Sequence, residues 1–353
     1  MNQKLFFTAL IVLFVLSGVS HYGHWGTIPE FILSALAILF VAGFLGKATE
    51  SVAHYAGQRL GGFLNATFGN AAELIIAIFL VRAGEFEMVK ASITGSIIGN
   101  LLLVLGLSVL LGGLKYKEQT FNVQLAGHNS SLMILAVIAL FIPAIFVSAE
   151  HFSIDQDRTL SISIAAILII AYILWLIFSM ITHKSILADE EVTTPDHGEE
   201  PAWSKTMSIV FLVVATVMTA LVSEWLVHTL DSFSERFSLS AIFVGAFLIA
   251  IVGNAAEHSA AILLAMKNKI GAAVEIAVGS SLQIALFVAP VLVFVSMLFG
   301  ETMDLVFTTI ELAAIGVAVF IATSISRDGR TNWYEGALLL CVYVILGFAF
   351  YLV

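Results

Sequence analysis

Long, nearly uninterrupted apolar segments follow one another along the whole chain, with short polar connections between them. Segments of about twenty apolar residues can cross a bilayer as helices, and their continuity argues against the alternating pattern of a transmembrane β-barrel. The pattern predicts eleven spans, at residues 5–22, 29–57, 61–82, 85–112, 122–148, 157–182, 204–230, 238–266, 270–299, 303–325 and 332–352. The expected fold is an all-α polytopic membrane protein.

Composition agrees with this prediction. Hydrophobic residues make up 60% of the chain and charged residues 11%, with a mean hydropathy of +1.03, whereas a soluble domain carries about 25% charged residues. The net charge of -10 comes from helix ends and one connection, so the lipid bilayer, and not nucleic acid, is the expected partner. We expect residues 5–22 to be a retained helix because no clear cleavage site follows.

Lysine and arginine are distributed unequally between the two sides of the predicted bundle. With the N-terminus inside, eleven of these residues fall on the inner side, and only Arg82, Lys90, Arg158 and Arg236 fall outside. Positive residues favour the cytoplasmic side. We therefore expect a cytoplasmic N-terminus, an external C-terminus, and a cytoplasmic position for the acidic linker at 183–203.

Two stretches of the chain nearly repeat each other. The pentapeptide GNAAE occurs at Gly69–Glu73 and again at Gly253–Glu257, and a Gly-Ser pair follows each copy at the same spacing, at 95–96 and 279–280. A carboxylate at the bilayer centre costs about 2.5–3.5 kcal/mol on insertion scales, so it is rarely placed there without a function. Two matching copies indicate a shared ion site, although each motif alone could serve only helix packing.

The two motifs lie on spans that run in opposite directions, because five crossings separate them. This parity predicts a peripheral first helix (1–25) and two inverted five-helix repeats. The first repeat covers 26–182, with its motif at 69–106, and the second covers 204–353, with its motif at 253–290. Inverted repeats of this kind place a substrate site near the midplane, at their interface.

The polar side chains of the two motifs supply hard oxygen donors, without thiolates or clustered imidazoles. Such a set suits Ca²⁺ and disfavours zinc or copper. The candidate metal ligands are Glu73, Glu257, Asn70, Asn254, Ser96, Ser280, Ser281, Asn100 and Gln283. His258 follows Glu257 and points elsewhere on the helix, so it is a candidate proton relay or a packing residue.

The charge balance of this site favours exchange. Two carboxylates neutralise one divalent cation, whereas without the metal they repel each other and lose solvation, which favours protonation. A site that holds either Ca²⁺ or protons is the minimal device for antiport. We therefore expect Glu73 and Glu257 to bind both ions, with Ca²⁺ and H⁺ as substrates and no cofactor.

The motifs resemble a known family. The first copy, with its Gly95-Ser96 pair and the tail NLLLVLG at 100–106, is similar to the first α-repeat of the CAX Ca²⁺/H⁺ antiporters, within the cation/Ca²⁺ exchanger superfamily. The second copy, GNAAEH at 253–258 with GSSLQI at 279–284, is similar to the second α-repeat. The resemblance implies that Glu73 and Glu257 are the cation- and proton-binding carboxylates.

Three alternatives remain open from the sequence. Na⁺/Ca²⁺ exchangers of the superfamily typically carry proline before the motif acid, where this chain has Ala72 and Ala256, which favours proton coupling over sodium coupling. A passive divalent-cation channel would need a continuous polar pore. An intramembrane enzyme lacks support because His-Glu-x-x-His and Gly-x-Ser-x-Gly motifs are absent from the sequence. The predicted protein is a cell-membrane antiporter that exports cytosolic Ca²⁺, and the sequence also allows a homo-oligomer.

Overall fold

The computed structural model describes residues 3–150, 154–182 and 201–353. Most of the predicted acidic linker, residues 183–200, lies outside the described residues. Helices dominate the rest because a backbone in lipid must satisfy its own hydrogen bonds. The helices are α1 (Gln3–Tyr22), α2 (Thr27–Phe68), α3 (Ala71–Ala83), α4 (Phe86–Ile98), α5 (Leu105–Tyr116), α6 (Val123–Glu150), α7 (Ile154–Ile177), α8 (Lys205–Phe237), α9 (Ala241–Phe243), α10 (Ala250–Ala265), α11 (Ile270–Gln283), α12 (Ala289–Ser296), α13 (Thr309–Ile325) and α14 (Trp333–Tyr351).

Several helices continue through π-helical segments. These segments are Gly99–Val104, Phe178–Thr182, Val244–Ile249 and Ile284–Val288, and a short 3₁₀ turn at Met297–Phe299 follows α12. Two of them follow the Gly-Ser pairs of the two motifs. Single π-helical turns inside α-helices often mark functional sites, so their positions single out the same two spans as the repeats do.

Nine helices within the described ranges are long and apolar enough to cross a membrane, and α13 is a shorter apolar helix. The protein is therefore a multi-pass membrane protein built almost entirely of helices. The described residues also include two short strands, β1 (Glu118–Thr120) and β2 (Arg330–Asn332), which form one small antiparallel ladder in which Gln119 faces Thr331.

The structure adds a break inside one predicted span and shortens another. The backbone between spans 29–57 and 61–82 is helical, but a methyl group added at Gly61 would meet the Ala53 carbonyl oxygen, so the chain bends there. The added break falls within span 61–82, at Gly69–Asn70, between α2 and α3. The predicted span 303–325 begins at Thr309, because residues 303–308 are not helical. Glu311 consequently lies in the first turn of α13 and not in the middle of a span.

The interior of the bundle is formed by α4, α5, α11 and the segments next to them. Gly95 of α4 packs against the backbone of Ala246, and a methyl group added at Gly245 would lie 2.6 Å from the Met88 carbonyl oxygen. Small residues allow such backbone contact between membrane helices. This crossing joins the Gly-Ser span of the first motif to the π-helical segment that leads into the second motif.

Candidate functional site

The first motif lies at a break in the helical chain. Gly69 and Asn70 form a turn, and Glu73 occupies the first turn of α3 with its side chain buried. The N-terminal end of a helix carries partial positive charge and unpaired N–H groups, which favour an anionic side chain there. Asn70 stands at the N-cap position, yet its side chain does not cap the helix. It faces the other half of the chain instead.

The second motif has the same sequence as the first but a different local structure. Gly253 and Asn254 lie within the continuous helix α10, where the Asn254 side-chain amide donates to the carbonyl oxygen of Ala250 at 2.9 Å. Glu257 follows one turn later and is half-buried. Glu73 therefore lies at the start of a helix, whereas Glu257 lies inside one.

Hydrogen bonds cross between the two halves in matching positions. Ser280 donates to the Asn70 side-chain oxygen at 2.7 Å, and Asn254 donates to the Ser96 hydroxyl at 2.9 Å. In each case the asparagine of one GNAAE motif meets the serine of the other Gly-Ser pair. All four residues are buried. The duplication seen in the sequence thus corresponds to a reciprocal contact in space.

Further side chains extend this network unequally. Asn70 donates to the Gln283 side-chain oxygen at 2.6 Å, Asn100 donates to the Ser280 hydroxyl at 3.1 Å, and His258 Nε2 lies 3.2 Å from the Asn100 side-chain oxygen. The positions that match Asn100 and His258 in the other copy are Ile284 and Leu74. The network is therefore more polar on the Ser280 side than on the Ser96 side.

Glu73 of the first motif packs against the helix that carries the second motif. A methyl group at Gly253 would lie 3.3 Å from Glu73 Cγ, so the first acid packs directly against the second motif. Glu257 follows Gly253 by four residues, one turn further along the same helix. The first of the two acids that the sequence singles out therefore lies beside the motif that contains the second.

Three oxygen atoms in this cluster are buried and have no hydrogen-bond partner among the described residues. They are one carboxylate oxygen of Glu73, one of Glu257, and the side-chain oxygen of Asn254. Buried polar atoms are normally paired, and an unpaired one calls for an explanation such as an ion site. Carboxylate and amide oxygens are the donors that Ca²⁺ takes.

Eight of the nine predicted ligands lie in this cluster, and Ser281 does not join it. The Ser281 hydroxyl donates to the carbonyl oxygen of Ala277 on its own helix at 2.9 Å. Two further acids, Glu311 and Glu224, have partners outside this cluster. Glu311 caps α13 by accepting hydrogen bonds from the backbone and hydroxyl of Thr308, and Glu224 lies 3.8 Å from Arg82.

Comparison with known proteins identifies the family. A family model described as sodium/calcium exchanger protein matches residues 28–181 and 207–352. The chain belongs to this family. The Ca²⁺/H⁺ antiporter ChaA of Bacillus subtilis (strain 168) is 46% identical over 354 residues, which cover 99% of each chain. A Ca²⁺/H⁺ antiporter of Aphanothece halophytica is 45% identical over 366 residues, which cover 99% of this chain and 97% of that protein.

The fold of this exchanger-family chain is also known from a solved structure. Native YfkE superposes with a TM-score of 0.86 at 44% sequence identity, covering 99% of this chain and 100% of that one. The resemblance to the Ca²⁺/H⁺ antiporters of the cation/Ca²⁺ exchanger superfamily, predicted from the two motifs, is confirmed. Sequence reasoning missed a second polar cluster, formed by His21, Glu30 and His228, whose members lie in three separate segments.

Proposed function

We propose that this protein is a Ca²⁺/H⁺ antiporter that exports cytosolic Ca²⁺ in exchange for protons. The observation that carries the proposal is the packing of Glu73 against the second GNAAE motif, which contains Glu257, beside a buried network of amides and hydroxyls. Relatives named as Ca²⁺/H⁺ antiporters match over nearly the whole chain, which supports the same substrates here.

The proposed ligand set has two parts. Glu73, Glu257 and the Asn254 side-chain oxygen offer atoms that no described protein group pairs, so they would contact the cation directly. A second group of four residues is joined by hydrogen bonds, namely Asn70, Ser280, Asn100 and Gln283, and Ser96 accepts a hydrogen bond from Asn254. These side chains would position the cation-binding oxygens or add to the coordination. Because Ca²⁺ takes six to eight oxygens, both parts can take part.

Exchange follows from the charge of this set. Two carboxylates balance one Ca²⁺, and a buried pair of ionised carboxylates without a cation is unfavourable. Protons would therefore enter as Ca²⁺ leaves, with Glu73 and Glu257 as the coupling groups. His258, which lies beside Glu257 in sequence and contacts Asn100, would serve as a proton relay.

The proposed architecture has eleven crossings, with residues 1–25 peripheral and two inverted repeats at 26–182 and 204–353. Contacts between helix ends are consistent with this number of crossings. On one side, Gln119 donates to Ala265 and β1 pairs with β2, and on the opposite side Lys90 lies 2.9 Å from Asp304. Alternating access would then arise from movement of one group of helices against the other around the midplane site.

The proposed location is the cell membrane, with the N-terminus and the acidic linker (183–203) in the cytoplasm and the C-terminus outside. The excess of lysine and arginine on one side supports this orientation. Ca²⁺ and H⁺ are the proposed substrates.

Flux measurements in proteoliposomes test the proposed function. Ca²⁺ uptake is followed with pH, Na⁺ and voltage gradients imposed separately, together with the internal pH. We expect uptake that follows the pH gradient, needs no Na⁺ and moves protons in the opposite direction. Uptake driven by a Na⁺ gradient would favour a sodium-coupled exchanger, and uptake without proton movement would favour a channel; either result would overturn the proposal.

A further inference from the structure

A second polar cluster lies at the membrane boundary, where α1, α2 and α8 meet. Its members are His21, Glu30 and His228. The Glu30 side-chain oxygen lies 2.6 Å from His21 Nδ1 and 3.3 Å from His228 Nδ1. One ligand atom from each residue lies within 4.8 Å of the other two. The transport network is built from other residues, so this cluster is a separate feature of the molecule.

Helix periodicity explains why the three side chains converge. Ser17 and Ser34 share a buried hydrogen bond of 2.8 Å between α1 and α2. His21 lies one turn after Ser17, and Glu30 lies one turn before Ser34, so both face this contact. The convergence of the first two ligands is therefore fixed by the packing of α1 on α2.

The third ligand is positioned by α8 in the same way. Gly18 of α1 packs against the indole of Trp225, and a methyl group there would lie 3.0 Å from the ring. The Trp225 ring also stacks on His21, with ring centroids 5.9 Å apart. His228 lies three residues after Trp225, on the same face of α8. The cluster is thus supported by packed groups on all three helices.

The donor types point to a transition metal. Two imidazole nitrogens and one carboxylate oxygen are ligands that Zn²⁺ takes at about 2.0–2.2 Å in tetrahedral sites, whereas Ca²⁺ prefers oxygen alone. In a tetrahedron of that size, neighbouring donors are about 3.3 Å apart. The distance of 3.3 Å from His228 Nδ1 to the Glu30 oxygen already matches this value. His21 Nδ1 lies at a hydrogen-bond distance of 2.6 Å from the same oxygen, so it needs to move away by less than 1 Å.

We propose that His21, Glu30 and His228 form a binding site for Zn²⁺ or a similar transition-metal ion, separate from the Ca²⁺ pathway. Glu30 is buried, whereas the His228 side chain is 68% exposed, so a metal reaches the site from water. A water molecule takes the fourth position. The bound ion joins α1 to α2 and α8 and stabilises their packing by mass action.

The test measures Zn²⁺ binding to the untagged, full-length protein in detergent after removal of metal by a chelator. It uses a Glu73→Gln/Glu257→Gln background as well as the natural chain, so that binding at the transport site does not enter. We expect one Zn²⁺ per chain in this background and a rise in the unfolding temperature. His21→Ala and His228→Ala should each weaken binding by at least about tenfold, while His24→Ala, which removes a nearby exposed histidine, should not.

A variant with a new signal separates ligand loss from misfolding. His228→Cys replaces one zinc ligand by another, and Co²⁺ bound to it should show thiolate-to-cobalt charge-transfer absorption. The natural chain has a single cysteine, Cys341. Its Co²⁺ spectrum is therefore the control for the absorption that the new cysteine produces. The proposal is overturned if the Glu73→Gln/Glu257→Gln protein does not bind Zn²⁺, if His21→Ala and His228→Ala bind it unchanged, or if His228→Cys gives no such absorption.

Discussion

The side-chain amide of Asn254 donates to the Ser96 hydroxyl at 2.9 Å, which joins the second GNAAE motif to the Gly-Ser pair of the first. A second bond from the same amide nitrogen goes to the Ala250 carbonyl oxygen. Both N–H groups of the Asn254 amide thereby have an acceptor, and the Asn254 side-chain oxygen has no hydrogen-bond partner among the described residues. The bond to Ser96 therefore fixes which atom of Asn254 is offered to a cation.

Replacement of Ser96 by alanine should weaken Ca²⁺ binding. The variant loses one net hydrogen bond of about 0.5–1.5 kcal/mol, which corresponds to about a two- to tenfold lower affinity if the bond orients the ligand. Ser281→Ala is the matched control, since that hydroxyl bonds to its own helix, and we expect a change below about twofold. Calcium titration of the purified variants checks this, and equal effects of the two substitutions would contradict the proposed role of Ser96.

A relay role for His258 predicts a defect that glutamine does not repair. Glutamine can keep a hydrogen bond to Asn100 but cannot carry a proton at neutral pH. We expect His258→Ala and His258→Gln both to slow proton-driven Ca²⁺ uptake several-fold and to flatten its dependence on pH. Initial rates at a series of pH values provide the measurement. Recovery of the natural profile in His258→Gln would show that the residue only positions Asn100.

The two Gly-Ser pairs should differ in their tolerance of alanine. A methyl group at Gly95 would collide with the backbone of Ala246, whereas one at Gly279 meets no heavy atom within 4 Å among the described residues. Overpacking typically costs about 1–3 kcal/mol, and a backbone contact cannot be relieved by a rotamer change. Thermal unfolding in detergent should therefore show a clear loss for Gly95→Ala and little change for Gly279→Ala. A reversed order would contradict the described crossing of α4.

Glu85, in the connection between α3 and α4, should reduce stability at neutral pH. Partial burial raises the pKa of Glu85, and the nearby carboxylates of Asp231 and Glu87 raise it further. Because the folded state holds this proton more tightly than the unfolded state, stability falls as pH rises through the folded-state pKa. Glu85→Gln should then unfold at a higher temperature at pH 7, by less than about 2 °C because the site is only partly buried, with the difference vanishing below pH 4.5. A lower unfolding temperature at pH 7 would contradict this sign.

The apolar pattern predicted the positions of most helices because lipid imposes one continuous apolar stretch per crossing. This pattern could not locate the break before α3. Gly69 and Asn70 form a turn there, whereas the same two residue types at 253–254 lie inside a helix. Neighbouring segments decide that difference. The start of α13 has a signal in the sequence, because Thr308 and Glu311 have the spacing of a capping box. The apolar pattern alone begins this span at 303, since it does not take helix caps into account.

The candidate site was predictable for a different reason. Duplication marked Glu73 and Glu257 in the sequence, and the packing of Glu73 against the second motif follows from two copies that face each other. The pairing of Asn70 with Ser280 could be inferred only in outline, because a periodicity gives a helix face and not a partner. No repeat in the sequence points to His21, Glu30 and His228, because their convergence depends on how α1 packs against α2 and α8.

Proton release on Ca²⁺ binding tests the central claim most directly. Ca²⁺ is added to the purified protein in weakly buffered solution, and bound Ca²⁺ and released H⁺ are measured in the same sample. Two buried acids that exchange one ion for the other predict proton release in the natural chain, and loss of both binding and release in Glu73→Gln, Glu257→Gln and the double variant. Unchanged Ca²⁺ binding with unchanged proton release in the double variant would contradict the account.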